Sequence, residues 1–85
     1  MNGTFVAYDG GFMFELTFSG REGFTVNITG EDPSSGTYKM EGNIIFFEIG
    51  DRTEIGIYTA EDPETDTQEM IVVVLDGETI VLKRR

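Results

Sequence analysis

Apolar and polar residues alternate with a period of two along most of this chain of 85 residues. In the stretch FMFELTF, the residues Phe12, Phe14, Leu16 and Phe18 share one side, and Met, Glu and Thr alternate with them. This is the period of a β-strand, in which successive side chains point to opposite faces. Strands with one apolar face are typical of antiparallel sheets that have one face in solvent.

Eight segments with strand character are separated by short, turn-like sequences such as Asp9-Gly10-Gly11 and Glu41-Gly42-Asn43. Glycine and aspartate tolerate the positive φ angles that tight hairpins require. No segment carries apolar residues at the helical period over about ten residues. The predicted strands are 3–8, 12–18, 23–29, 36–41, 43–49, 53–60, 68–75 and 78–84.

The order of these strands predicts an all-β fold without substantial helix, in a single domain spanning 1–85. It is a continuous antiparallel up-and-down meander of about eight short strands, expected to close into a small or partly open barrel because closure removes exposed sheet edges. An eight-strand barrel is just wide enough to be filled by side chains or to hold one small ligand. The density of inward residues favours a filled core. These inward positions are Phe5, Phe12, Phe14, Leu16, Phe18, Phe24, Val26, Ile28, Tyr38, Met40, Ile45, Phe47, Ile49, Ile55, Ile57, Val72, Val74, Ile80 and Leu82.

Two stretches of the chain resemble a known family. GTYKMEGNIIFFEI, from Gly36 to Ile49, resembles the G-T-[YW]-x-x-x-G-[DN]-x-[IL]-x-[FL] pattern of small bacterial lipocalin-like domains, and the ending VVVLDGETIVLKR resembles their last hairpin. The resemblance implies an up-and-down barrel, no enzyme activity and at most an apolar ligand in the barrel mouth. Many members look like exported or surface-anchored modules, but this chain shows neither an export signal nor an anchoring cysteine. Its localisation is therefore left open.

Two regions of the predicted barrel are candidates for binding. A small apolar ligand would contact aromatic and Met side chains at one barrel mouth: Phe12, Phe14, Tyr38, Met40 and Phe47. Other apolar residues fall on the face expected to lie in solvent, where a contiguous patch marks an interface with a second copy or a protein partner. Replacement of Ile71, one of these outward residues, by lysine should therefore leave the fold intact. The residues of this predicted interface are Val6, Tyr8, Ile44, Phe46, Ile71, Val73 and Val81.

Composition argues against several other functions. The net charge of −10 opposes binding to nucleic acid and to anionic membranes, and no apolar run reaches the roughly 18 residues of a membrane span. The chain has no His and no Cys, so the usual proton shuttle and thiol nucleophile are missing. Paired carboxylates can hydrolyse a glycoside only when they face each other in a cleft. Glu15 and Glu48 are predicted to point outward, so we do not expect them to form such a pair. We therefore expect no enzyme and no cofactor.

A metal site is also not expected. The acidic run from Asp62 to Asp66 offers oxygen ligands to a hard cation such as calcium. Thr67 stands where an EF-hand loop needs glycine at its sixth position, and the Glu at the twelfth is missing. This segment is interpreted as a solvated acidic loop.

Three interpretations of function remain open from the sequence. The leading one is a non-enzymatic interaction module that self-associates or binds a partner through the outward apolar patch. The alternative is a lipocalin-like carrier of a small apolar ligand. The third is a designed barrel without biological function, which would be unusually stable and bind no ligand. The volume of the interior separates the first two, because a carrier needs an empty cavity.

Overall fold

The computed structural model describes residues 2–75 and 77–85, which form eight β-strands. All eight predicted strands are confirmed, and each predicted bound lies within two residues of the observed one. The strands are β1 (Gly3–Asp9), β2 (Phe12–Ser19), β3 (Gly23–Ile28), β4 (Ser34–Glu41), β5 (Ile44–Ile49), β6 (Arg52–Thr59), β7 (Met70–Leu75) and β8 (Glu78–Arg84).

The strands follow one another around a closed barrel in sequence order, and every neighbouring pair is antiparallel. The closure between β1 and β8 is short, with Phe5 opposite Arg84 and Val6 opposite Lys83. It is extended by the backbone N–H of Arg85, which donates to the carbonyl of Thr4 over 2.9 Å. The predicted all-β meander barrel is thus confirmed, and among the described residues no segment is helical.

The up-and-down order gives the barrel two ends with different connections. The end that we call the open end carries the β1–β2, β3–β4, β5–β6 and β7–β8 connections. In the first of these, Gly10 and Gly11 both adopt positive φ angles, 56° and 87°, as a two-residue hairpin turn requires. The opposite end, which we call the closed end, carries the start of β1, the end of β8, the turns that follow β2 and β4, and the longer β6–β7 loop.

Apolar side chains from all of the strands meet inside the barrel. The rings form edge-to-face pairs, with 4.9 Å between the centroids of Phe18 and Tyr38 and 5.1 Å between those of Phe24 and Phe47. Such pairs stabilise a core by about 0.5–1.5 kcal/mol beyond the area that they bury. The buried core consists of Phe5, Phe14, Leu16, Phe18, Phe24, Tyr38, Ile45, Phe47, Ile71, Val73 and Leu82.

Strand β7 faces the opposite way from the prediction. Ile71 and Val73 lie in the core with 0% and 4% exposure, so their assignment to an outward interface is wrong. Val72 and Val74, predicted to point inward, lie on the outer face. The segment MIVVVL is apolar on both faces, so its own pattern cannot choose between them. The choice follows from register, since Ile71 pairs with the buried Leu82 of β8.

Strand β6 is also inverted relative to the prediction. Ile55 and Ile57 are 52% and 47% exposed on the outer face, although they were predicted to fill the core. The register of β6 with β5 places Glu54 opposite Phe47 and Gly56 opposite Ile45, and both of these β5 side chains point inward. The inward face of β6 therefore consists of Arg52, Glu54, Gly56 and Tyr58.

A glycine on the inward face of β6 makes room for the core. A Cβ at Gly56 would come within 3.0 Å of Cε2 of Phe47 and 3.1 Å of Cγ1 of Val73. These distances are closer than ordinary van der Waals contact. Because neighbouring strands already fill the space in front of Gly56, β6 can place its larger apolar residues on the outside.

Candidate ligand-binding site

The interior of the barrel is not filled along its whole length. A cavity of about 280 Å³ opens at the open end, between the ends of β2, β3, β5, β6 and β7. Most of its wall is aliphatic or aromatic, and the polar residues lie toward the connections at the mouth. It is lined by Phe14, Leu16, Phe24, Val26, Ile28, Glu31, Ser34, Phe47, Ile49, Arg52, Glu54, Val73 and Leu75.

Aromatic packing fills the interior near the closed end. The ring of Phe18 lies 5.9 Å from that of Phe5 and 6.1 Å from that of Phe47, and it also packs against Tyr38. The guanidinium carbon of Arg84 lies 4.8 Å from the centre of the Phe5 ring, a cation–π arrangement over the end of the core. These packed rings therefore form a floor beneath the cavity, which opens at the other end of the barrel.

A polar cluster covers this floor from outside. The hydroxyl of Tyr58 donates to Oε2 of Glu69, and Nε of Arg84 donates to Oε1 of the same carboxylate. The hydrogen bond from Arg84 lowers the pKa of Glu69 below 4.5, its ordinary value. The hydrogen bond to Glu69 raises the pKa of Tyr58 above 10.0. The cluster joins β6, the start of β7 and the end of β8, so it ties the last three strands together at the closed end.

Two charged side chains of β6 lie at the cavity mouth and were not recognised from the sequence as site residues. Glu54 points inward with a side chain only 20% exposed, and its Oε1 accepts a hydrogen bond of 2.5 Å from Nη2 of Arg52. The Arg52 side chain is 61% exposed. The pattern RTEIGIY could have revealed them, because placing Gly56 inward puts Arg52 and Glu54 on the same face. The isoleucines between them favoured the opposite phase.

The connections around the open end are strongly acidic. Among the described residues of this end, Arg52 is the only basic one. Fixed carboxylates around an opening attract cations and repel anions over several ångströms. The acidic residues that the structure describes in these connections and beside them are Asp9, Glu31, Asp32, Asp51, Glu54 and Glu78.

The structure brings together only part of the predicted ligand-binding set. Phe14 and Phe47 line the cavity. Tyr38 belongs to the aromatic floor, packed against Phe18. Phe12 and Met40 are 43% and 38% exposed and lie at opposite ends of the barrel, so they do not line the cavity with Phe14 and Phe47. Both lie at a strand end, where the barrel wall no longer covers an inward-phased side chain.

The predicted interface set is also divided. Ile44, Phe46 and Val81 lie on the outer face of β5 and β8, and Val6 and Tyr8 lie on the outer face of β1. Tyr8 is 70% exposed. The last two members of the set, on β7, belong to the core as described above. The five remaining members therefore lie in two places, on β5 and on the paired strands β1 and β8, where Val6 lies opposite Lys83.

The acidic β6–β7 loop forms hydrogen bonds within itself. The backbone N–H of Glu64 donates to Oδ1 of Asp62 over 3.1 Å, and Asp62 and Thr67 exchange two backbone hydrogen bonds of 2.9 Å. Asp66 adopts a positive φ of 57°. Within 2–75 and 77–85, no three His, Cys, Asp or Glu side chains are grouped so as to hold a metal ion.

No helix in the described part of the chain is long and apolar enough to cross a membrane. Comparison of the chain with protein-family models, with curated proteins and with solved structures finds no match.

Proposed function

We propose that this protein is a non-enzymatic, lipocalin-like barrel that binds one small, largely apolar ligand in the cavity at its open end. The observation that carries the proposal is the asymmetry of the interior, which has a packed aromatic floor near one end and a largely apolar cavity at the other. A closed barrel with a cavity in its mouth is a preferred location for small-molecule sites.

The wall of the cavity favours a small hydrocarbon body. The aliphatic part of the wall near the mouth consists mainly of Val26, Ile28, Ile49 and Leu75, and Phe14 contributes an aromatic ring. The volume of about 280 Å³ lies just below the range of typical ligand pockets, which measure roughly 300–1,000 Å³. The ligand should therefore be a short chain or a single ring system rather than a long lipid.

The charges at the mouth favour a ligand whose polar end is neutral or cationic. Glu31 and Glu54 both line the cavity, while the Arg52 guanidinium is held by Glu54. An entering ammonium group would meet carboxylates, and an entering carboxylate would meet like charge. We expect amphiphiles with an amine or a hydroxyl head to bind better than the corresponding acids.

Three test ligands with the same chain and different heads separate these expectations: n-octylammonium, n-octanol and n-octanoate. Calorimetric titration into the full chain at low salt should show binding of the first two, with octanoate weaker than octylammonium by about tenfold or more. Stronger binding of octanoate would contradict the assignment of the head group. A native mass spectrum of gently purified protein tests for a bound molecule of a few hundred daltons that is lost on denaturation.

A matched pair of variants tests whether binding takes place in the cavity. Val26 lines the cavity and Thr25, its neighbour on β3, lies on the outer face. Val26→Phe adds a ring inside the cavity and should abolish binding of octylammonium and octanol. Thr25→Phe adds the same ring outside and should leave binding unchanged. Equal binding by both variants, with folding verified by circular dichroism, would overturn the proposal.

A further inference from the structure

The outer face of β5 to β8 carries a continuous apolar surface that the cavity does not use. Ile44 of β5 pairs with Ile57 of β6, Ile57 pairs with Val72 of β7, and Val72 pairs with Val81 of β8. These four side chains form one row across four adjacent strands. Three of them, Ile44, Ile57 and Val81, are 38%, 47% and 45% exposed.

A second row lies beside the first on the side of the open end. Phe46 pairs with Ile55, and Val74 lies on the same face of β7. Ile55 and Val74 are 52% and 51% exposed. Exposed branched side chains that adjoin across neighbouring strands make a contiguous patch, and a patch of this kind marks a protein interface. We call these two rows the β5–β8 patch.

The outer face of β1 to β4 has a different chemistry. There, the hydroxyls of Thr4 and Thr17 lie 3.2 Å apart in a hydrogen bond, and Nδ2 of Asn27 donates to Oε1 of Glu15 over 3.4 Å. Glu15 also accepts from Arg85. Apart from apolar residues such as Val6 and Tyr8 of β1, the outer face of β1 to β4 is therefore suited to water, whereas the outer face of β5 to β8 is suited to burial.

The charge distribution indicates which molecule covers the patch. The chain carries a net charge of −10, and its acids are concentrated at the open end and in the β6–β7 loop. On the outer face of β5–β8, the charged residues within the strands are Glu48 of β5 and Lys83 of β8, whose charges cancel. A second acidic copy that approaches the middle of this face, between the open end and the β6–β7 loop, meets less repulsion than it meets at either of them.

We propose that the β5–β8 patch is the interface of a homodimer in which the two sheets cross. Glu48 lies near the open end on β5, and Lys83 lies near the closed end on β8, so they occupy diagonally opposite corners of the patch. A two-fold axis in the plane of the interface, along the other diagonal, places Glu48 of each protomer opposite the partner's Lys83. Sheets that pack with crossed strands are a known arrangement, and two-fold interfaces use the same patch on both copies.

This dimer is independent of the proposed ligand site. The patch lies on the side of the barrel, whereas the cavity mouth lies at the open end. Each protomer therefore keeps its own accessible mouth, and loss of the dimer should leave ligand binding by the cavity intact. The two proposals can fail separately.

The first test is the molecular mass of the full chain in solution by sedimentation equilibrium. We expect a dimer at a protein concentration of about 100 μM that dissociates on dilution. Ile57→Glu places a charge in the centre of the patch and should weaken the dimer by about tenfold or more. Thr25→Glu introduces the same residue on the opposite face, with the same change in net charge, and should leave the dimer unchanged.

Two results would overturn the interface. One is a monomer mass for the unmodified chain at the same concentration. The other is a dimer that resists both Ile57→Glu and Val81→Glu, each verified as folded by circular dichroism. Because both positions are exposed on the barrel surface, these variants are expected to fold.

A charge exchange tests the crossed arrangement. Glu48→Lys and Lys83→Glu change the net charge in opposite directions, yet each should weaken the dimer by about three- to tenfold, because each places like charges opposite each other. The double variant restores both pairs and should recover the affinity. Failure of the double variant to recover it would show that these side chains do not face each other, and would overturn the crossed arrangement.

Discussion

The two halves of the barrel interior are built from different side chains. In the half near the closed end, rings from β1, β2 and β4 pack edge to face, and Phe18 contacts three other aromatic residues. In the half near the open end, most inward positions carry Val, Ile or Leu, and β6 contributes Arg52 and Glu54. The same eight strands thus enclose a filled space at one end and a cavity of about 280 Å³ at the other.

The difference shows that position along the barrel axis matters as much as the number of inward apolar residues. Phe, Tyr and Trp side chains each bury on the order of 150–250 Å², so a few rings can fill the cross-section of a small barrel. Branched aliphatic side chains that occupy one level along the barrel axis are smaller and leave the centre of the barrel empty. Stability should therefore depend mainly on the closed half, and ligand binding on the open half.

The largest expected effect is that of a charge placed in the closed half. Ile71 is completely buried there, so Ile71→Lys introduces an ammonium group with no partner among apolar side chains. We expect the monomer to unfold, which reverses the expectation from the sequence that a lysine is tolerated at this position. Val74→Lys is the control, since Val74 is 51% exposed on the same strand and should retain a folded barrel.

Circular dichroism and chemical denaturation of the two lysine variants check this prediction. A folded Ile71→Lys variant with near-normal stability would mean that β7 presents its other face to the core. In that case the register of β7 with β6 and β8 would also be wrong, because Ile71 and Leu82 could not both point inward as a pair.

The phase of β7 also illustrates what the sequence could and could not predict. Period-2 alternation and turn residues determined all eight strands and the meander, because most strands have one clearly apolar face. MIVVVL has two apolar faces, and in RTEIGIYT the larger apolar residues lie outside while Gly56 faces the core. In both strands the inward face depends on register with neighbours, which is not a local property.

The candidate site was harder to predict than the fold. Phe14 and Phe47 were placed correctly in the interior, because they belong to strands with clear alternation. Arg52 and Glu54 were missed because their inward orientation follows from the unexpected phase of β6. The cavity itself depends on the positions along the barrel axis at which rings and aliphatic side chains meet. The sequence pattern predicts which residues point inward, but it does not predict these positions.

Truncation of one ring in each half tests whether the two halves contribute differently to stability. Phe18 and Phe14 are almost equally buried, at 4% and 5% exposure. Phe18→Ala removes a ring with neighbours on all sides and should lower the free energy of unfolding by about 4–5 kcal/mol. Phe14→Ala removes a ring that already borders the cavity, so fewer contacts are lost, and the cost should be about 3 kcal/mol. Denaturation with guanidinium chloride measures both, and an equal or larger loss for Phe14→Ala would contradict the distinction between the halves.

A smaller effect is expected from adding one methyl group between the halves. Gly56→Ala places a Cβ within 3.0–3.1 Å of Phe47 and Val73 atoms, so one of these side chains must move. Overpacking of this kind costs about 1–3 kcal/mol. The cavity next to both side chains offers space for the movement, which should keep the loss near 1 kcal/mol and reduce the cavity. Thermal unfolding measures the loss, and a cost above about 3 kcal/mol would mean that the cavity cannot absorb the displaced groups.

The smallest effect concerns the polar cluster that covers the closed end. Glu69→Gln removes the carboxylate that pairs with Arg84 and Tyr58, and should cost about 1 kcal/mol at neutral pH. The pKa of Glu69 is lowered from 4.5, so the stability it contributes is present above pH 4.5 and is lost as the pH falls through the folded-state value. The pKa of Tyr58 is raised from 10.0, so its contribution is present below pH 10 and is lost as the pH rises through the folded-state value.

The difference in free energy of unfolding between the unmodified chain and Glu69→Gln should therefore be largest on a plateau between about pH 5 and pH 10, and should shrink on both sides. Glu41→Gln is the control, because Glu41 is an exposed carboxylate at the same end of the barrel and its loss should change stability by less than about 0.5 kcal/mol at any of these pH values. If the Glu69→Gln difference instead stays constant down to pH 3, the pKa of Glu69 does not change on folding, and its ion pair with Arg84 does not stabilise the barrel. The closed end would then be held by the aromatic floor alone, since Phe18, Phe5 and Tyr38 carry no group that titrates in acid.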